Sequence, residues 1–436
     1  MKFLKTLLLT VPVFCLLLTC AGGPEAYRTL DANVYSGSFE QSLVTLNNKK
    51  TRKKIYSNKN DILFYLDRGM IKHYAGMYED SSRDLQEAER LIEEAFTKSI
   101  SQEIGSYLLN DRTKDYSGED YEDLYINVFN SLNYYHRDDL EGALVEIRRL
   151  NEKLLHLADK YERAIKKVLE SDDKIDPRNL PMEASRFSNS ALARYMWVLF
   201  YRGTGRPDSA RIDYEELLRA YGLAEEIYTN PIPSTVHEEL SIPSGAGRLN
   251  VIAFTGLSPI KEEQVIYIPL PLAFPNNTTK IALPVIVRRP NAIQWAEVVL
   301  NTGEKFRLEL LEDMGAVAQE TFKYKYGLTV VKTTARSIAK AVSGAGIAHA
   351  VDEQAKGYGS LVALFGRVFT EVSEQADTRL SRYFPCYTLV GGINLEPGTY
   401  TATVHFYGNN SLVYSEAKEI RVTRNNLNLL EFVCLK

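Results

Sequence analysis

Cysteine is scarce in this chain, with 4 among 436 residues, at positions 15, 20, 386 and 434. So few exclude a disulfide-dense scaffold. The 6 histidines show no H-E-x-x-H spacing, so no zinc site is expected. Charge of one sign is also lacking. A net charge of −4 and a pI near 6.0 exclude the basic footprint of a nucleic-acid-binding domain. Of the two short basic runs, Arg288-Arg289 is too small to count, and Lys49-Lys50-Thr51-Arg52-Lys53-Lys54 reads as a solvated loop. No G-x-S-x-G, P-loop or dinucleotide fingerprint follows a strand. Ser244-Gly245-Ala246-Gly247 and Ser343-Gly344-Ala345-Gly346 read as a linker and a tight helix contact rather than anion cradles. Glu309, Glu312 and Asp313 lie close in sequence, but acid–base chemistry needs a shaped pocket as well. The sequence therefore carries no catalytic constellation, and it implies neither a metal nor another cofactor.

Long apolar runs are confined to the N-terminus. Met1-Lys2-Phe3-Leu4-Lys5 supplies positive charge, and Thr6–Leu18 is too short for a spanning helix of ~20 residues. The run ends in Leu17-Leu18-Thr19-Cys20, which resembles a bacterial lipobox. That resemblance implies removal of residues 1–19 and acylation of Cys20. Ala21 then implies sorting to the outer membrane, with the chain facing the periplasm. Cys386 and Cys434 are the cysteines left over, in a compartment where disulfides persist. Two readings stay open for them: a bond to each other, or two small buried hydrophobes.

What the chain has in quantity is helical periodicity up to about residue 230. Four turns recur, each followed by a small residue that lets a second helix pack closely. They are Gly37–Ser42, Gly76–Ser81, Asp138–Ala143 and Gly205–Ala210. Gly76, Tyr78, Leu85 and Ala88 resemble the tetratricopeptide repeat in the best copy. The starts are spaced 39, 62 and 67 residues apart, against the ~34 of that repeat. The resemblance implies an irregular α-solenoid over residues 20–230 with a concave face for binding proteins. Tyr125, Phe129, Tyr134, Arg148 and Arg149 are the candidate groove, although the aromatics also fit inter-helix core. His73, His136 and His156 are isolated along helices and read as surface or turn residues.

Prolines and glycines crowd residues 231–248, predicting a linker. Beyond it, alternating β-branched runs predict strands at Asn250–Thr255, Gln264–Leu270, Lys280–Val287, Ala296–Asn301 and Lys305–Leu310. Four more follow at Tyr387–Asn394, Gly398–Tyr407, Leu412–Val422 and Asn426–Leu435. Helices are predicted over Glu312–Ala350 and Gly357–Glu374. Residues 249–436 thus form a β-rich domain with a helical insertion, and the whole chain is of the α+β class.

Three stretches carry a wider resemblance. They are Tyr116–Glu122 with Glu141–Arg149 (including Gly142 and Ala143), Gly256–Glu263, and Ala376-Asp377-Thr378-Arg379 with Phe384-Pro385 and Leu395–Tyr400. Together they resemble a family of bacterial lipoproteins with tetratricopeptide-like repeats and no assigned activity. The resemblance implies a lipid-anchored scaffold that binds envelope proteins of unknown identity. Asp377 and Arg379 read as structural residues that either pair with each other or cap the preceding helix end. An enzyme acting on envelope polymers and a subunit of an envelope-spanning assembly are the competing expectations.

Overall fold

The computed structural model of the protein describes residues 24–57, 59–101, 114–171, 185–269, 278–354 and 375–436. The targeting segment, Cys20 and the helix expected at Gly357–Glu374 lie outside them.

The first part of the chain is four helix hairpins. They are α1 (Pro24–Tyr35) with α2 (Phe39–Asn47), α4 (Asp61–Tyr74) with α5 (Tyr78–Ser101), α6 (Asp120–Tyr135) with α7 (Leu140–Ser171), and α8 (Ala191–Gly203) with α9 (Pro207–Leu223). All four reverse in the same way. A residue at positive φ (Gly37, Gly76, Asp138 or Gly205) donates its N–H three residues back, and its successor donates five residues back. This Schellman closure satisfies the last carbonyls of the first helix. The successor's carbonyl then accepts from Ser42, Ser81, Ala143 or Ala210, so one residue ends one helix and begins the next. Those four small residues are buried where the paired helices touch. Between the first two hairpins, the basic run expected as a loop is instead helix α3 (Lys49–Ile55). The Asn48 side chain caps it by accepting from Lys50 and Thr51 N–H, and Arg52 lies 4.0 Å over the Phe64 ring.

Residues 231–248 do not behave as the expected linker. They contain α10 (Ser234–Glu238), and Thr235, Val236, Glu239 and Arg248 are buried. Strand β1 (Gly247–Leu257) follows, then β2 (Ile260–Pro269), β3 (Thr278–Val287), β4 (Trp295–Leu300) and β5 (Lys305–Asp313). Helix α11 (Met314–Gln354) precedes β6 (Pro385–Leu395), β7 (Gly398–Gly408), β8 (Ser411–Val422) and β9 (Asn428–Cys434). Seven strands make one sheet in the order β8-β7-β4-β5-β6-β1-β9. Its pairs are antiparallel except β1 with β9, and β2 and β3 form a separate two-stranded ribbon. The large sheet curls so that its edge strands approach each other: the Lys418 ammonium of β8 donates to the Glu431 carbonyl of β9 at 2.6 Å. The result is a near-barrel.

β1 shows why the two parts are joined. All eleven of its residues are buried. Leu249, Val251 and Ala253 point into the near-barrel with Val298, Val404, Phe406 and Phe432. Ile252 and Phe254, on the opposite face by the period-2 rule, enter a core shared with Phe129, Leu132, Leu192 and Phe200 of the helices. That core runs continuously from Tyr27 of α1 to Leu435.

Cys386 and Cys434 are free and buried, so the disulfide reading is not realised. The register gives the reason. Both β6 and β9 pair with β1, on opposite sides of it. Two strand spacings separate the cysteines by roughly 9–10 Å, beyond the ~7 Å reach of a disulfide. Burial pushes both thiols up to about 11, which fits small hydrophobes rather than reactive groups.

Candidate functional site: the seam between helices and sheet

The sheet lies against the first helix of each of the last three hairpins, and this overturns part of the expected groove. Tyr125 and Phe129 on α6 are fully buried. Tyr125 donates its hydroxyl to Glu312 of β5 at 2.7 Å, and the Phe129 ring packs 5.0 Å from Phe254 of β1 and 5.9 Å from Phe384. The chain's own sheet occupies that face. The other expected groove residues remain accessible. Tyr134 is half-buried beneath Arg137, Arg148 is exposed, and Arg149 is half-exposed in ion pairs with Glu89 (2.7 Å) and Glu146 (3.4 Å).

Parts of the three stretches, far apart in sequence, meet in this seam: Glu119 and Glu122, Ser258 and Glu263, and segment 376–384; Glu141–Arg149 lies instead on α7 and Leu395–Tyr400 at the β6–β7 turn. Segment 376–384 threads between α4, α6 and the β1–β2 turn. Ala376 N–H donates to Glu263 (2.7 Å), and Arg379 grips Asp377 through two hydrogen bonds of 2.7 and 2.8 Å. The same guanidinium donates to Asn60 and to the Lys114 carbonyl. Asp377 is held below its usual range: burial opposes this, but Arg379 outweighs it. Ser381 N–H donates to Glu122 (2.6 Å), and Ser258 donates to the Ser381 carbonyl (3.2 Å). Glu119 begins α6 in a reciprocal cap with Glu122, and it also binds the ammonium groups of Lys261 and Lys325. Two of the stretches' glycines, and Gly76 outside them, have local reasons. Gly256 and Gly76 sit at positive φ, and a Cβ on Gly142 would meet Tyr134 and Asp139 at 2.7 Å. Ala143 is buried, and Tyr78 stacks on His136 with ring centroids 4.2 Å apart.

Four of the carboxyl groups buried along the seam are shifted, and they lean in two directions. Burial pushes Asp67 up to about 6, against hydrogen bonds from Tyr56, Arg382 N–H and Ser381. Burial and the neighbouring Glu119 charge push Glu122 up to about 7. Burial also raises Glu312, although Tyr125, Tyr228, Ser190 and Leu192 N–H all donate to it. Glu431 goes the other way. Burial would raise it, but the charge and hydrogen bonds of His73 and His136 hold it far below the usual carboxylate range. His73 thus differs from the surface or turn residue expected of it, being buried within α4, whereas His136 does sit at the turn that ends α6, though mostly buried. Sequence reasoning missed this cluster because Glu431 lies 358 residues from His73. The signal available was only a glutamate in an otherwise apolar strand.

Glu309, Glu312 and Asp313 do not converge. Glu309 accepts from Ser234, Glu312 points into the seam, and Asp313 caps α11 through Ala316 N–H while pairing with Arg288 at 2.7 Å. Among the described residues no His/Cys/Asp/Glu group could hold a metal ion, and no helix is long and apolar enough to cross a membrane. Two open clefts lie away from the 376–384 segment. One is lined by Glu396–Thr399 and Arg421–Arg424; the other by Tyr78, His136, Lys418 and Glu431 among others. The seam thus fixes the two layers together, while the open clefts and the outer side of the hairpins stay reachable. No protein-family model matches the sequence, and neither a curated protein nor a solved structure gives a significant match.

Proposed function

We propose that the protein is a scaffold of the bacterial cell envelope. Acylated Cys20 anchors it at the outer membrane facing the periplasm, and a tetratricopeptide-like array of hairpins binds an envelope protein without cofactor or catalysis. The observation that carries this reading is the repetition itself. Four hairpins reverse identically, and the residue seven positions past each positive-φ residue (Val44, Arg83, Val145 and Ile212) is exposed in all four. Large aliphatic residues left in water at the same place in three repeats cost solvation, and a partner laid along the second helices would recover it. Arg148 and Arg149 on α7 would border such a contact.

The test uses the anchored chain in its own envelope. A photo-crosslinker placed at Arg148 should capture the same partner whenever the array is intact. Val145→Asp with Ile212→Asp should reduce that capture at least tenfold without changing the amount of folded protein. Metabolic fatty-acid labelling should disappear in Cys20→Ala. Undiminished capture by the double variant would move binding off the second helices, and persistent labelling would remove the anchor.

A further inference from the structure

The hydrogen-bond network around His73 fixes the hydrogen on one ring nitrogen, and the charge state of Glu431 decides the other. Ser81 Oγ lies 2.8 Å from the Gly69 carbonyl, which can only accept, so the hydroxyl hydrogen is spent there. Ser81 Oγ must then accept from its other neighbour at 2.9 Å, which makes that atom the Asn133 amide nitrogen. The Asn133 carbonyl oxygen therefore faces His73 Nδ1, at 2.7 Å, and Nδ1 carries a hydrogen. On the other side of the ring, Nε2 lies 2.7 Å from Glu431 Oε1. Burial would raise Glu431, but the charge of His73 and the hydrogen bonds of His136 and His73 hold it far below the usual carboxylate range, so its oxygen accepts and Nε2 carries a hydrogen as well. Both ring nitrogens donate, and His73 is an imidazolium.

The pair spans the seam, with His73 on α4 and Glu431 on β9. The second carboxylate oxygen accepts from His136 Nε2 at 2.8 Å, just beyond α6. We propose that the His73 imidazolium and Glu431 form a proton-dependent clasp that holds the last strand against the helical layer, and that loss of the His73 proton at rising pH loosens β9.

The groups facing the clasp come from five elements. Tyr74 follows His73 on α4, its ring centroid 5.7 Å away. Tyr78 of α5 covers His136, and Phe129 of α6 closes over His73 at 5.1 Å. On β8, Lys418 ties its ammonium to the Glu431 backbone, and Glu416 bonds that ammonium at 3.3 Å. Tyr135 holds both backbone groups of Leu429 on β9, which leaves the strand a second attachment at its start. Of the charged groups here, Glu431 is hydrogen-bonded to His73, and Lys418 opposes it. Burial alone would lower the His73 pKa; Glu431, by charge and hydrogen bond, and Asn133 more than offset this and raise it above 6.5. A histidine raised in this way holds its stabilisation fully below its ordinary value and loses it as pH climbs through the raised one. Asp67 and Glu122 shed their stabilisation at lower pH, between the ordinary carboxylate range and about 7. The clasp therefore acts above the range of these two carboxyls and below the ordinary thiol value of 9.0, past which Cys434 on the same strand sheds stabilisation of its own.

Two measurements on the full-length protein test this. Imidazole NMR of selectively labelled His73 should show both nitrogens protonated at pH 7. Amide exchange over residues 428–434, corrected for its intrinsic pH dependence, should show an opening constant that grows up to about tenfold per pH unit above 6.5. His73→Gln keeps a donor toward Glu431 and removes the titration, so that growth should vanish. Glu431→Gln should drop the His73 pKa below its ordinary value, because only the Asn133 hydrogen bond then opposes burial, the largest influence on it. If His73→Gln does not fold, the wild-type NMR titration alone decides. A single-tautomer neutral His73 at pH 7, or the same alkaline growth in His73→Gln, overturns the clasp.

Discussion

Asp67 carries three hydrogen-bond donors, the Tyr56 hydroxyl at 2.6 Å, the Ser381 hydroxyl at 2.7 Å and the Arg382 N–H at 2.9 Å, and none of them is charged. Three neutral donors do not replace the water lost on burial, so the carboxyl goes up to about 6 rather than down. The consequence for stability has a definite sign. Below its ordinary pKa of 3.8 the group is protonated whether the chain is folded or not. As pH rises from there, the unfolded chain ionises more readily than the folded one, and stability falls until pH passes about 6. Asp67→Asn keeps the shape and most of the hydrogen bonds but cannot ionise. Between pH 4 and pH 8 it should lose on the order of 2 kcal/mol less unfolding free energy than the wild type. Urea titrations at the two pH values measure this, and an identical pH slope in both proteins would refute it. Glu122, pushed up to about 7, remains in both and, with the raised Glu312 and His73, contributes to the slope that is left.

At the scale of elements, the reversals are the clearest case of sequence dictating structure. Gly76 sits at φ 73°, and a Cβ there would meet nothing within 4 Å. The cost of Gly76→Ala is then backbone strain alone, about 1–2 kcal/mol. Asp138 occupies the equivalent position at φ 60° and already bears that strain, so Asp138→Gly should stabilise by about 1 kcal/mol. Opposite shifts in denaturation midpoint are the expected result; shifts of one sign would mean the turns are not equivalent. These elements were legible because their cause is local: a left-handed residue, a small residue four positions past its successor's carbonyl, then helical spacing. The strands were legible for the same reason, by their alternation. What sets the seam is not local. Tyr125 and Phe129 have the same helical spacing whether they line a groove or meet a sheet, and only the placement of β1 decides between the two. Cys386 and Cys434 fall on opposite sides of β1 through a register that no spacing encodes. His73 and His136 were inconspicuous on their helices until β9 brought Glu431 between them.

The molecule as a whole is best tested through the residue where its layers meet. A concave helical array that waits for a partner would leave its first helices uncovered and could unfold independently of the sheet. Here those helices are covered by the sheet, in one core with β1, β6 and the 376–384 segment. Burial that spans both parts makes the stability of each depend on the other, because opening either exposes apolar surface of both. Phe129 stands at that junction, fully buried among His73, Phe254 and Phe384. Phe129→Ala removes its transfer energy and leaves a cavity lined by residues from both layers, at a cost of about 3–5 kcal/mol. In a protein built on one core, that loss should appear in a single cooperative transition. Amide protection in α4 and in β1 should then fall together and by the same factor. Two resolved transitions, with β1 protection unchanged in Phe129→Ala, would mean that the helical array and the sheet are separate folding units that merely touch.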